Sequence, residues 1–363
     1  MSNRPLVPAN VERLSPYVPG KPLTELARDF GITDAVKLAS NESPLGPSPK
    51  AIAAATAAIA EGHRYPDGYA LRRAIALHHG VPIEEVILGN GSNELIDIIC
   101  HTFASPGEHA VYPDPSFVCY RSSTIAANME PTVVPMSGGV NYDVDALIAA
   151  LRPDTKLLFL ANPNNPTGTY LGQAELKRLL SAAPQDAIIV LDEAYIEFAD
   201  AADYPDGLKL RSLHPHILVL RTFSKAYGLA GFRVGYAIGP KTLIGYLDRL
   251  RPPFNVNNMA LAAAEASLAD PEHLRRYVAL NAQERQRVGS RLLQLGISVV
   301  PSQANFLLVD TGRPAKDVYN IMLRKGVIVR PMAPPIESFV RITLGLPAEN
   351  DRMLDALHAA TTG

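Results

Sequence analysis

From residue 51 onward, segments with apolar residues at helical spacing alternate with short apolar or β-branched runs at 86–88, 110–112, 132–134, 156–160, 187–191, 217–220 and 233–238. Runs of that kind, bounded by turn formers, mark strands buried on both faces rather than strands with one wet face. The segments between them, such as 93–104, 144–151 and 173–182, are long enough for crossover helices. The pattern therefore predicts an α/β fold with seven strands in a mostly parallel sheet between helices. After Arg251-Pro252-Pro253 the pattern changes: helical stretches at 260–268 and 272–295 precede strands at 305–309, 327–329 and 339–343, with helices at 315–325 and 351–360. That is the signature of a smaller α+β domain. The first 45 or so residues, with Pro5, Pro8, Pro16, Pro19, Gly20 and Pro22, read as an arm laid over the rest. The expected division is an arm at 1–48, a large domain at 49–252 and a small domain at 253–363.

Composition narrows the possibilities. In 363 residues there are 34 Lys+Arg against 36 Asp+Glu, a net charge of −2, so no global basic field exists to hold nucleic acid or an anionic membrane. The most apolar run, 51–60, is far shorter than the ~18 residues a membrane span requires. The N-terminus lacks the apolar core of a secretory leader. Cys100 and Cys119 form no metal-binding or redox spacing, and the nine histidines form no ligand pattern. A cytoplasmic enzyme acting on small molecules is expected.

Three short patterns follow one another: Asn162-Pro163-Asn164-Asn165-Pro166-Thr167-Gly168, Asp192-Glu193-Ala194-Tyr195 and Thr222-Phe223-Ser224-Lys225, with Arg233 eight residues beyond the lysine. Singly, the first reads equally well as a turn and Asp192 as a helix cap. Each follows a predicted strand, however, so together they converge on the carboxyl edge of a parallel sheet, where ligands of such folds bind. A lysine there is an amine able to form a Schiff base once burial or a nearby cation such as Arg233 lowers its pKa. Asp192 suits a pyridinium nitrogen, Asn165 and Tyr195 suit a ring hydroxylate, and Thr222, Ser224 and Arg233 suit a phosphate. Those are the demands of pyridoxal 5′-phosphate.

On these residues the chain resembles the histidinol-phosphate aminotransferases, within the fold type I pyridoxal-phosphate enzymes. The resemblance runs from Leu14-Ser15-Pro16-Tyr17 and Leu38-Ala39-Ser40-Asn41-Glu42, through Arg64-Tyr65-Pro66-Asp67, to Phe339-Val340-Arg341-Ile342-Thr343-Leu344-Gly345. It implies that Lys225 carries the internal aldimine, Asp192 pairs with the pyridine nitrogen, Asn165 and Tyr195 bond the ring oxygen, and Arg233 with Ser224 holds the phosphate. Gly91, Ser92 and Asn93, opening a helix after strand 86–88, suit the phosphate cup by backbone geometry as well. Phe117 stands where the family stacks an aromatic ring on the pyridine, often a tyrosine; a core phenylalanine fits its surroundings equally.

The resemblance also implies that Tyr65 reaches the cofactor phosphate of the neighbouring subunit, and hence a homodimer. Tyr17, Asn41, Arg330 and Arg341 are the candidate substrate contacts. A guanidinium inside a strand, as at Arg341, is costly unless it faces an anion-binding cleft. The implied reaction is ping-pong transfer of an amino group from histidinol phosphate to 2-oxoglutarate. An aromatic amino acid aminotransferase and a threonine-phosphate decarboxylase share the same cofactor residues. A ligand-sensing module of a transcription regulator requires a DNA-binding segment ahead of the arm, where this chain begins.

Overall fold

The computed structural model describes residues 5–18 and 20–362; Met1–Arg4, Pro19 and Gly363, the first five within the predicted arm, lie outside them. Thirteen strands run through the described residues. In chain order they are β1 (Val36–Lys37), β2 (Val86–Gly89), β3 (His109–Asp114), β4 (Glu130–Pro135), β5 (Thr155–Ala161), β6 (Ile188–Asp192), β7 (Ile217–Thr222), β8 (Gly235–Ile238), β9 (Ser298–Val300), β10 (Phe306–Asp310), β11 (Val327–Ile328), β12 (Arg330–Pro331) and β13 (Phe339–Thr343).

Seven of them form the main sheet in the order β2-β8-β7-β6-β5-β3-β4, all parallel except β8, which runs against both neighbours. The central strands are apolar through their middles because each face meets helices. Phe159, Val190 and Leu218 pack with Leu95, Ile96 and Ile99 of the helix Gly91–Phe103 on one side. Leu158, Leu160, Ile189 and Val219 pack with Leu176, Leu179 and Leu180 of the helix Gln173–Ala182 on the other. Neighbouring residues of one strand thus enter different cores, so the sequence shows a continuous apolar run instead of alternation.

A second, four-stranded antiparallel sheet, β12-β13-β10-β9, is covered by the helices Ala315–Arg324 and Pro347–Thr362 and by the long helix Pro271–Gln294. This is the smaller α+β unit. The arm is stitched to it: β1 pairs parallel with β11, and the Thr343 N–H donates to Leu38 O at 2.9 Å. No helix of the described residues is long and apolar enough to cross a membrane.

The structure adds helices to the arm and a further strand, and corrects one expected boundary. The proline-rich arm contains two helices, Ala9–Glu12 and Leu23–Phe30, because Pro8 and Pro22 stand immediately before their first residues, where a missing N–H costs nothing. The run expected to be a strand at 233–238 begins pairing only at Gly235, since Arg233 takes a left-handed φ of 58° that ends a 3₁₀ turn. The strand β9 was not anticipated, as only three residues pair at a partly wet edge.

One close approach ties the arm to the loop that carries Lys225. Gly228 has φ +70°, and a Cβ there would lie 2.3 Å from the carbonyl oxygen of Gly46. Backbone on both sides leaves no flexible atom to yield. Gly228→Ala should therefore lower the unfolding free energy by about 2 to 4 kcal/mol in denaturant titration. A variant as stable as the parent would show that this approach is dispensable.

Candidate active site

Strand register brings the three sequence patterns together. Ala161 is opposite Asp192 and Asp192 opposite Leu220, so β5, β6 and β7 end side by side, delivering Asn165, Asp192 and Lys225 to one edge. At the far side of β8, Gly235 pairs with both Gly89 and Thr222, which places the start of the helix Gly91–Phe103 beside Ser224. The resulting cleft is lined by Gly91, Ser92, Asn93, Phe117, Asn165, Asp192, Tyr195, Thr222, Ser224, Lys225 and Arg233, joined by Ala161, Pro163, Ala194 and Ala230.

Asp192 ends β6 with almost no exposure to water. Tyr120 Oη donates to its Oδ2 at 2.9 Å and the Ala194 N–H to its Oδ1 at 3.2 Å. Burial outweighs these two bonds and pushes the carboxyl up to about 6. Lys225 shows the complementary effect: withdrawal from water, reinforced by the charge of Arg341, lowers its ammonium to about 8. Its Nζ donates to Ser40 O at 3.3 Å and lies 5.8 Å from the centroid of the Tyr195 ring. Tyr195 Oη accepts from Asn41 Nδ2 at 2.9 Å, and burial pushes its phenol up to about 12.

At the helix start, Gly91 has φ +75°, and a Cβ there would meet the Arg233 guanidinium at 2.6 Å. Glycine is required for that approach. Free backbone N–H groups of a helix N-terminus and a guanidinium that forms no ion pair among the described residues make a cradle for a phosphate. Within it, Thr222 Oγ1 accepts the Ser224 N–H at 3.1 Å, fixing the turn before Lys225.

A second cleft adjoins the first, sharing Phe117 and Asn165 and lined further by Tyr17, Arg330 and Arg341. Arg330 and Arg341 are direct cross-strand partners of β12 and β13. Arg341 donates to Asn165 Oδ1 and, at 2.8 Å, to Ala39 O, while its buried Nε has no partner. Arg330 donates to Val18 O at 3.1 Å and stands 5.7 Å from the Tyr17 ring centroid. Neither arginine is paired with a carboxylate among the described residues. Asn41, at φ 55°, joins arm, sheet edge and small domain: beyond Tyr195, its N–H donates to Thr343 Oγ1 at 2.9 Å.

Of the sequence-derived candidates only Tyr65 lies away from this ensemble. It is 81% exposed and stacks on Phe254 at 4.5 Å, outside the Lys225 cleft of its own chain. Tyr120 and Thr343 are contributors that the motifs do not single out. For Tyr120 the available signal is its position three residues after Phe117 at a helix start, which turns both rings toward one face.

A sheet edge with a half-buried lysine and a buried aspartate in one cleft, beside a phosphate cradle at a helix N-terminus, defines a class of cofactor-dependent enzymes, and residues 33–357 match the model of the aminotransferase class I and II family. The chain is 51% identical to the histidinol-phosphate aminotransferase of Anaeromyxobacter sp. (strain Fw109-5) over 97% of its length and 98% of the relative's. It is 47% identical to histidinol-phosphate aminotransferase 2 of Pseudomonas aeruginosa, covering 97% and 96%. Among solved structures it is similar to the histidinol-phosphate aminotransferase of Sinorhizobium meliloti in complex with pyridoxal-5′-phosphate, with TM-score 0.89, 28% identity and coverage of 99% and 98%. An aspartate aminotransferase of Thermus thermophilus shares the fold, with TM-score 0.83, 24% identity and coverage of 98% and 100%. The chain belongs to the histidinol-phosphate aminotransferase family of the class I and II aminotransferases.

The raised carboxyl of Asp192 has a measurable consequence. Its folded value of about 6 exceeds the ordinary 3.8, so the cofactor-free protein is not penalised below pH 4 and loses stability as pH rises through 6. Asp192→Asn should stabilise cofactor-free protein by about 2 to 3 kcal/mol at pH 8 and by little at pH 4, read as the gap between urea unfolding curves. A gap that does not change with pH would contradict the assignment of burial as the dominant cause.

Proposed function

We propose that this chain transfers the amino group of histidinol phosphate to 2-oxoglutarate, giving imidazole-acetol phosphate and glutamate in histidine biosynthesis, with pyridoxal 5′-phosphate as its cofactor. The observation that carries the reading is the pair Arg330 and Arg341. Like charges directly opposite in an antiparallel pair are destabilising, and a buried guanidinium nitrogen without a partner costs more. An anion bound between them would offset both costs. The two anions required are the phosphate of the amine and the carboxylate of the 2-oxo acid, and the guanidinium fork suits both.

The residues fit the cofactor: the cradle of Gly91, Ser92, Asn93, Thr222, Ser224 and Arg233 takes the phosphate, Phe117 covers one face of the ring, and Asp192 meets the ring nitrogen. Asn165 and Tyr195 address the ring oxygen; Asn165 engages Arg341 through its carbonyl, leaving its amide N–H₂ for that contact. When bound, the cofactor supplies an electron sink for the pair left on the substrate carbon after proton loss. Lys225 anchors it through Nζ. A pKa near 8 leaves part of the amine neutral at physiological pH, so Lys225 Nζ, when free, could take the proton from the substrate carbon. Asp192, held by Tyr120 and the Ala194 N–H, supplies the negative charge that keeps the ring nitrogen protonated. Asn41 and Tyr17 close the substrate side.

The exposed Tyr65, stacked on Phe254 outside its own cleft, is free to meet the phosphate of a second copy, and the family resemblance supports a homodimer as the working unit. The family resemblance supports a cytoplasmic setting.

The test is single-turnover conversion of the cofactor by glutamate and by histidinol phosphate. Arg341→Ala should weaken both half reactions, each by roughly 2 to 4 kcal/mol, because a charged hydrogen bond loses one desolvated partner. Arg330→Ala should affect histidinol phosphate selectively. If Arg341→Ala cripples glutamate and leaves histidinol phosphate untouched, the shared anion pocket is wrong. If the parent enzyme converts phenylalanine far faster than histidinol phosphate, the chain is an aromatic amino acid aminotransferase instead.

A further inference from the structure

Tyr120 is wholly buried near the start of the helix Val118–Ala126, and its environment accounts for every part of it. Its ring lies stacked on Phe159 of β5 at 5.1 Å and meets the edge of Phe117 at 5.9 Å. Its hydroxyl has one acceptor, Asp192 Oδ2. We infer that Tyr120 is a positioning residue for the reaction: its hydrogen bond holds the Asp192 carboxylate ionised and aimed at the ring nitrogen of the cofactor. The inference rests on the assignment of Asp192 to that nitrogen.

Asp192 and the ring nitrogen it faces compete for one proton. A carboxylate in an apolar site is a stronger base than in water, and burial alone would let Asp192 draw the proton off the ring nitrogen it faces. A hydrogen bond donated to the charged form makes the carboxylate a weaker base, so the proton stays on nitrogen and the ring keeps its electron-accepting charge. The Ala194 N–H does the same at the longer distance of 3.2 Å. Tyr120 is a dependable donor because its phenol is pushed well above 10 by burial and by the neighbouring carboxylate, so it does not ionise at working pH. The stack on Phe159 sets the direction in which the hydroxyl is presented, and the edge contact with Phe117 links it to the wall against which the cofactor ring lies.

Tyr120→Phe removes only the hydroxyl and keeps both ring contacts. In the loaded enzyme kcat should fall about tenfold while KM for glutamate and for 2-oxoglutarate stays within about twofold, and the dissociation constant of pyridoxal phosphate should rise about tenfold. The decisive comparison repeats Tyr120→Phe in an Asp192→Asn background, following cofactor release by fluorescence. There the same substitution should change the dissociation constant by less than about twofold, since no carboxylate remains to be held. Equal losses in both backgrounds would mean that Tyr120 only packs, and no loss in either would mean that the bond is dispensable; both outcomes overturn the inference. Cofactor release does not involve the amine substrate, so failure of histidinol phosphate as a donor would strike the substrate reading and leave this comparison standing.

Discussion

Two opposite charges are held out of water at the ends of neighbouring strands, and most of the site exists to make that tolerable. Asp192 sits at the end of a strand with no exposed residue, and Lys225 follows the next strand after a two-residue turn. Burial alone disfavours both charged forms, raising the acid and lowering the base. The surrounding groups only partly offset this: a phenol and one backbone N–H for Asp192, one backbone carbonyl for Lys225. On the proposed reading, a cofactor with a protonated ring nitrogen and a carbonyl carbon would supply what these groups lack. The same strain is seen at Arg341, whose Nε has no partner and whose cross-strand neighbour is a second arginine.

The fold serves these charges through register. Because β8 runs against both β2 and β7, a single residue, Gly235, stands beside the ends of both, and the helix that opens at Gly91 comes within reach of Ser224. The arm completes the enclosure. Its backbone meets Lys225 at Ser40 and Arg341 at Ala39, and Asn41 bonds Tyr195 of the large sheet edge and Thr343 of the small sheet. One short segment therefore sets the relation between the cofactor side and the substrate side of the cleft.

Much of this is legible in the sequence for a physical reason. The inner strands, buried on both faces, leave continuous apolar runs, while the edge strand β4 is largely exposed and stands out by its β-branched residues alone; chemistry placed just after the inner runs has only one edge on which to gather. What is illegible depends on packing across elements. The left-handed Arg233 hides inside an apolar run because nothing in its neighbours demands a positive φ. Tyr120 has the composition of an ordinary core residue, and only the register of β5 and β6 brings Asp192 to its hydroxyl. The opposition of Arg330 and Arg341 lies in an eleven-residue separation that spacing alone does not resolve. Tyr65 is expected at a site its own chain does not bring it to, since it stacks on Phe254 outside the Lys225 cleft.

The central claim is that Lys225 is the amine that holds the cofactor at this sheet edge, and reductive labelling tests it most directly. Borohydride added to purified enzyme should bleach its visible absorption, fix pyridoxal phosphate on the single peptide containing Lys225 and leave Lys225→Ala unlabelled. Label recovered on another lysine, or a Lys225→Ala enzyme that still transaminates at the parent rate, would contradict the account.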